Sequence, residues 1–156
     1  MSYRALEAVE RLGRRALAVV LFGSCVYSPR RARDVDLLVI VDELRDLHEK
    51  VALEVEVSRS LRRELGRAVD VVVLDLESFK ENLAVGTFLS GLVLGYRVLH
   101  DTIGVDELLE KLFSELAEED YIYVKGRRWN LSAVARAKLR RRSASSNREL
   151  CEPSDV

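Results

Sequence analysis

Apolar positions change their period several times along the chain, and each change marks a different element. Ala5, Leu6, Val9 and Leu12 recur at helical spacing before Gly13, which predicts a first helix over residues 2–13. Residues 16–22 (ALAVVLF) are an unbroken apolar run, the pattern of a strand covered on both faces, and Gly23 ends it. A second, β-branched run, VDLLVIV, occupies residues 35–41 with Asp36 as its only charged member, and VDVVVL at residues 69–74 is a third buried strand. Between them Leu44, Leu47, Val51, Val55, Ser58, Leu61 and Leu65 are spaced by three or four, with charged residues in most gaps. Residues 44–65 are therefore the longest predicted helix, with Gly66 closing it. Residues 83–94 are apolar all round at helical spacing and predict a core helix before Gly95, and residues 96–99 predict a short fourth strand. Strands separated by helices imply an α/β (α+β) domain with one sheet flanked by helices, while the pattern leaves strand direction open.

After Thr102 the pattern changes. Val105, Leu108, Leu109, Leu112, Phe113 and Leu116 mark an amphipathic helix, with Asp106 and Glu107 in its favourable first turn. Residues 104–120 hold seven acids against one lysine, whereas residues 121–148 hold nine Lys or Arg and no acid. Residues 143–156 are polar and aperiodic, which predicts a disordered tail. The chain thus divides into a domain over residues 1–102, a helical extension over residues 103–142 with a basic second half, and the tail.

With 156 residues the chain has room for one domain and a small appendage. Its 25 basic and 26 acidic residues give a net charge of -1, which excludes a uniformly basic nucleic-acid coat protein, so any electrostatic function must come from local clusters. Two distant cysteines, Cys25 and Cys151, make no disulfide framework, and a reducing cytoplasm is the expected location. No uncharged stretch reaches the roughly 20 residues of a membrane span. Glu7 and Glu10 near the N-terminus exclude a signal peptide.

The chemistry concentrates in residues 21–41, LFGSCVYSPRRARDVDLLVIV. Gly23 and Ser24 follow a buried strand, where glycine lets the backbone turn tightly and approach a ligand. A helix starting near Ser24 would point its free N–H groups and the serine hydroxyl beyond the strand end, a position suited to a triphosphate. Ten residues later come Asp34 and Asp36, which the two-residue period of a strand puts on one face. Two like charges so close call for an exposed sheet edge or a shared cation, and hard carboxylate oxygens suit Mg²⁺. Asp70, second in the third apolar run, can join the pair if that strand is the neighbour. Its rival Asp75 lies five positions on and points to the opposite face. Asp70 enters at the same end as the pair if the two strands run antiparallel or are staggered.

This arrangement resembles the nucleotidyltransferase superfamily of the DNA polymerase β type, and most closely its minimal prokaryotic branch. The family pattern is a strand, Gly-Ser, about ten residues, Asp-x-Asp at the head of a strand, and a third acid on a later strand. Here Gly23, Ser24, Asp34, Asp36 and Asp70 match it over roughly residues 15–101. The resemblance implies that Asp34 and Asp36 coordinate two Mg²⁺ ions about 3.5 to 4 Å apart, with Asp70 on the second and near the acceptor proton. It also implies that Gly23 and Ser24 hold the β and γ phosphates of ATP or another NTP, and that attack at the α-phosphorus expels pyrophosphate. Many members carry Arg-Gly where this chain has Tyr27 and Ser28. Arg30, Arg31 and Arg33 could supply that charge or be simply solvated.

Small members of this branch pair with a small all-helical protein, and some neutralise it by transferring AMP onto it. The resemblance makes an antitoxin-like role the first expectation. Transfer to a small-molecule hydroxyl is a rival, as is a non-catalytic binding module. The segment from Lys125 to Arg142, with Tyr121, Tyr123 and Trp129 nearby, has the charge and aromatic content of a nucleic-acid contact, but a helix whose charged face is wet, or which pairs with the acidic helix before it, is the favoured reading. A homodimer could use surplus apolar surface on residues 83–94.

Overall fold

A computed structural model of the chain describes the backbone of residues 1–119, 122–124, 127–129 and 131–149, and the side chains of residues 1–119 and 131–142. The apolar runs become strands whose two faces are covered by helices. In chain order the first elements are α1 (Ser2–Arg11), β1 (Ala16–Phe22), the single turn α2 (Ser24–Tyr27), β2 (Asp34–Val41), α3 (Leu47–Leu65) and β3 (Ala68–Asp75). There follow α4 (Leu76–Glu81), a 3-10 helix (Phe88–Leu94), β4 (Tyr96–Asp101), α5 (Val105–Ala117) and α6 (Leu131–Glu149). The sheet order is β3-β2-β1-β4. β1 runs antiparallel to both its neighbours, whereas β2 and β3 are parallel and α3 provides the crossover that parallel strands need. The sheet is therefore mixed.

Alternate residues serve opposite faces. Val19, Leu21, Leu37 and Val39 pack with Val9 of α1 and with Leu53, Val57 and Leu61 of α3. Ala18, Val20, Leu38 and Ile40 face Phe79 of α4, Leu89 and Leu92 of the 3-10 helix, and Leu109, Leu112, Phe113 and Leu116 of α5. Leu131 and Ala135 of α6 join that second cluster, so the helices after Thr102 share a core with the sheet.

Three boundaries depart from the periodic reading. α3 begins at Leu47 because Asp46 caps it, accepting the Glu49 N–H at 2.8 Å, and Gly66 ends it in the left-handed region (φ 63°). The helix expected over residues 83–94 is confined to the 3-10 turns Phe88–Leu94. Gly86, at φ 91°, breaks the chain path there, and Ser90 Oγ accepts the Gly86 N–H at 3.1 Å. Its buried Leu89, Leu92 and Val93 are core. Before it stands α4, unpredicted and only six residues long, capped by Asp75 through the Ser78 N–H at 2.7 Å.

Two short strands, β5 (Ile122–Val124) and β6 (Arg127–Trp129), pair antiparallel ahead of α6. α6 continues to Glu149, through the first part of the segment expected to be a disordered tail, and residues 150–156 lie outside the described residues.

Candidate active site

β1 ends where β2 begins, because the strands are antiparallel and Phe22 pairs with Asp36. That pairing brings the Gly23–Ser24 turn beside the Asp34–Asp36 pair. Gly23 has φ 76° and ψ −161°, a conformation essentially confined to glycine. Its carbonyl accepts the Val26 N–H at 3.0 Å and starts α2, which leaves the first N–H groups of that turn without helical partners. Gly95 packs closely on the same turn, since a Cβ there would lie 3.2 Å from Val26 Cγ1 and 3.3 Å from Tyr27 Cβ. The segment leading into β4 thus braces α2 from behind.

The β2–β3 register brings Asp70, not Asp75, beside the Asp34–Asp36 pair. Asp36 pairs with Asp70 in parallel strands, so the two side chains leave the same face of the sheet from adjacent positions, and Asp34 shares that face two residues earlier. The expected route to this proximity, antiparallel or staggered strands, is not the one used; simple parallel register suffices. Asp75 pairs with Val41 at the other end of the sheet and caps α4, so it is structural. Asp42 likewise serves the fold, accepting the Arg15 N–H at 3.3 Å.

One row therefore crosses the sheet on one face: Asp70, Asp36, Phe22 and Tyr96, each paired with the next. Asp34 and Asp36 are partly buried and Asp70 is exposed on the edge strand. Beyond Phe22 the row is flanked by Phe88, with ring centroids 6.5 Å apart, and Phe88 is itself exposed. The loop before β2 is anchored by Arg67, whose Nη2 donates to the Ala32 carbonyl at 2.6 Å, so Arg30, Arg31 and Arg33 stand exposed on a tethered loop beside the start of β3.

As the side chains stand, no group of three His, Cys, Asp or Glu among the described residues is gathered tightly enough to hold a metal ion. The chemistry of the donor set nonetheless suits Mg²⁺, because Asp34, Asp36 and Asp70 place hard carboxylate oxygens on one face at one end of the sheet. Cys25 serves local structure, its thiol donating to the Phe22 carbonyl at 3.1 Å. Sequence reading had no handle on Gly95, Phe88 or Arg67, whose roles depend on contacts between distant segments.

Residues 10–94 match the family described as Polymerase beta, Nucleotidyltransferase. The chain belongs to that family. This nucleotidyltransferase also shares its fold with a chain of a mutant form of the toxin–antitoxin pair MntA-HpeT, at 22% identity and a TM-score of 0.50, covering 74% of this chain and 85% of that one. A second mutant form of the same pair matches at 20% identity and a TM-score of 0.50, over 74% and 86% of the two chains. A complex of tri-AMPylated Shewanella oneidensis HEPN toxin with MNT antitoxin matches at 21% identity and a TM-score of 0.45, over 73% and 84%. Comparison with curated proteins finds no match. No helix among the described residues is long and apolar enough to cross a membrane.

Proposed function

We propose that this nucleotidyltransferase moves a nucleoside monophosphate, AMP in the first instance, from an NTP to a hydroxyl of a small helical partner protein, as the antitoxin of a toxin–antitoxin pair. The observation that carries the reading is the register that sets Asp36 beside Asp70 and opposite the Gly23 turn. The solved toxin–antitoxin pair that shares the fold supports the choice of partner.

In this reading the Gly23 turn, closed against Asp36, sets the Ser24 hydroxyl and the first N–H groups of α2 to face the oxygens of the donor phosphates. Asp34, Asp36 and Asp70 would hold Mg²⁺, which when bound would neutralise charge developing on the phosphoryl oxygens. Asp70, at the exposed edge, takes the proton of the acceptor hydroxyl. The acceptor oxygen bonds to the α-phosphorus as the bond to the β-phosphate oxygen breaks, and pyrophosphate leaves.

The test is incubation of the purified chain with α-labelled nucleotides, Mg²⁺ and an extract of its own cells, beside an Asp34→Ala, Asp36→Ala double variant. The expected result is label on a protein band, lost in the double variant. Label on RNA would redirect the assignment to a nucleic-acid acceptor. The open spacing of the three carboxylates favours one rival, a binding module without turnover. That rival requires nucleotide binding with no labelled product under any condition.

A further inference from the structure

β3 is an edge strand, and α3 lies along it. Ser58 Oγ donates to the Val69 carbonyl at 2.6 Å, and Glu54 accepts the Val73 N–H at 3.0 Å. Two α3 side chains one turn apart therefore tie down the outer edge of the strand. Alternate residues of a strand direct both backbone groups to the same side, so Val71, midway between those anchors, turns its N–H and C=O outward as well. A groove of about 640 Å³ opens there. Val55, Val69 and Val71 give it an aliphatic lining, Arg59, Arg62 and Arg63 give it positive charge, and Asp70 stands in its wall.

The three arginines are exposed, and the acids nearest them in sequence are already engaged. Glu56 pairs with Arg11 at 3.3 Å, and Glu64 pairs with Arg4 at 3.6 Å and with the N-terminal amine at 3.5 Å. Among the described residues Arg59, Arg62 and Arg63 form no ion pair. Glu54, the groove's own acid on α3, is held by Lys50 at 3.8 Å and by Val73. An apolar stripe runs into the groove along α3: Leu47, Val51 and Val55, at four-residue spacing, are 73%, 46% and 49% exposed. Arginine is enriched at protein interfaces, and here three stand beside exposed aliphatic surface. No aromatic ring lines the groove, so it lacks the stacking platform that a single-stranded nucleic acid uses.

Asp70 lines the groove at the sheet edge, and its side chain leaves the face opposite α3, the one that carries Asp36. We propose that the groove between α3 and the edge of β3 seats an acidic, aliphatic-bearing segment of the partner polypeptide and leads its acceptor hydroxyl to Asp70. The proposal rests on the nucleotidyl-transfer reading and adds the surface and chemistry by which the acceptor is recognised. Glutamate or aspartate side chains meet the three arginines, aliphatic ones lie on the Val51–Val55 stripe, and the Val71 backbone groups fix the segment's register.

The probe is a fluorescent peptide alternating glutamate and valine around one tyrosine, titrated against the full chain beside its glutamine counterpart and an oligouridylate of equal charge. The glutamate peptide is expected to bind, with the glutamine peptide weaker by about tenfold or more. An Arg59→Gln, Arg62→Gln, Arg63→Gln triple variant should lose the same factor while keeping its melting temperature and its MgATP binding. Val51→Asp, which breaks the stripe and leaves the arginines alone, should also weaken the peptide. No binding of the glutamate peptide, or equal binding by the wild type and the triple variant, overturns the proposal. Oligouridylate displacing the peptide in an arginine-dependent way overturns it in favour of RNA. Loss of the peptide result with MgATP binding intact counts against the groove alone, whereas absence of MgATP binding by the wild type counts against nucleotidyl transfer.

Discussion

The carboxylate of Asp36 stands against the Cα of Gly23, so closely that a Cβ at position 23 would lie 2.8 Å from Asp36 Cγ and overlap a carboxylate oxygen. Backbone and carboxylate exclude any side chain between them, and the Gly23 conformation, φ 76° and ψ −161°, excludes one independently. Gly23→Ala is therefore expected to cost about 1–3 kcal/mol of stability through backbone strain. Because relief of the overlap must push Asp36 out of place, nucleotidyl transfer should fall further than stability does. Melting temperature and labelled-nucleotide transfer, measured on the same preparation, check both halves. An alanine variant with undiminished transfer would show that the Asp36 position is not critical.

Asp70 and Asp75 separate site from scaffold on a single strand. Asp70→Asn is expected to lower transfer by about a hundredfold or more, as removal of a proton acceptor does, while stability stays within about 0.5 kcal/mol because the residue is exposed on an edge. Asp75→Ala should do the reverse, losing about 1 kcal/mol with the cap on α4 while keeping the rate. Urea unfolding and initial rates on the two variants test the assignment, and interchanged phenotypes would reverse it.

The parts of this fold that sequence made legible are those where burial dictates composition. β1 to β3 are rich in apolar residues because helices cover both faces, and Gly66 marks the end of α3 because its backbone turns left-handed there. Asp34 and Asp36 were readable from the strand period alone. The pairing of Asp36 with Asp70 was not, since register arises from how α3 returns the chain to the sheet. α4 escaped notice because six residues hold less than two helical turns, and its cap, Asp75, reads equally well as a strand end. Residues 83–94 misled because an uncharged apolar run reads as one core helix, whereas Gly86, at φ 91°, breaks the chain path and leaves only the 3-10 turns Phe88–Leu94. Arg59, Arg62 and Arg63 looked like ordinary helix surface; only the groove beside β3 distinguishes them.

Acid should loosen the contact between the β1 approach and α3 at a definite place. Arg14 grips Glu49 with Nε at 2.7 Å and Nη2 at 3.0 Å, and reaches Glu43 at 2.7 Å. The Arg14 guanidinium, and after it the Arg45 N–H, hold the Glu49 carboxyl down at about 2, against an ordinary 4.5. A carboxylate depressed on folding stabilises the fold above its ordinary pKa and loses that contribution as pH falls toward the folded value. The expectation is a fall in melting temperature between pH 4.5 and about 2 that is shallower in Glu49→Gln, with the two proteins converging at the acid limit. Parallel acid limbs would remove Glu49 from the account.

At the alkaline end the corresponding group is Tyr96, the last member of the row that crosses the sheet. Its hydroxyl donates to Asp106 and receives Arg142 Nη2 at 3.3 Å, while Arg142 also pairs with Glu110, so one phenol joins β4, α5 and α6. Burial first, and then the Asp106 hydrogen bond, push the phenol up to about 12 from an ordinary 10.0. A group whose pKa rises on folding contributes stability below its ordinary value and loses it as pH climbs through the folded value. Urea midpoints should therefore decline between pH 10 and about 12 in the wild type, and less steeply in Tyr96→Phe, which has no proton to lose. In ultraviolet titration of phenolate the same variant should lose a late step near pH 12. A variant that keeps the late step would place it on another tyrosine and detach α6 docking from Tyr96.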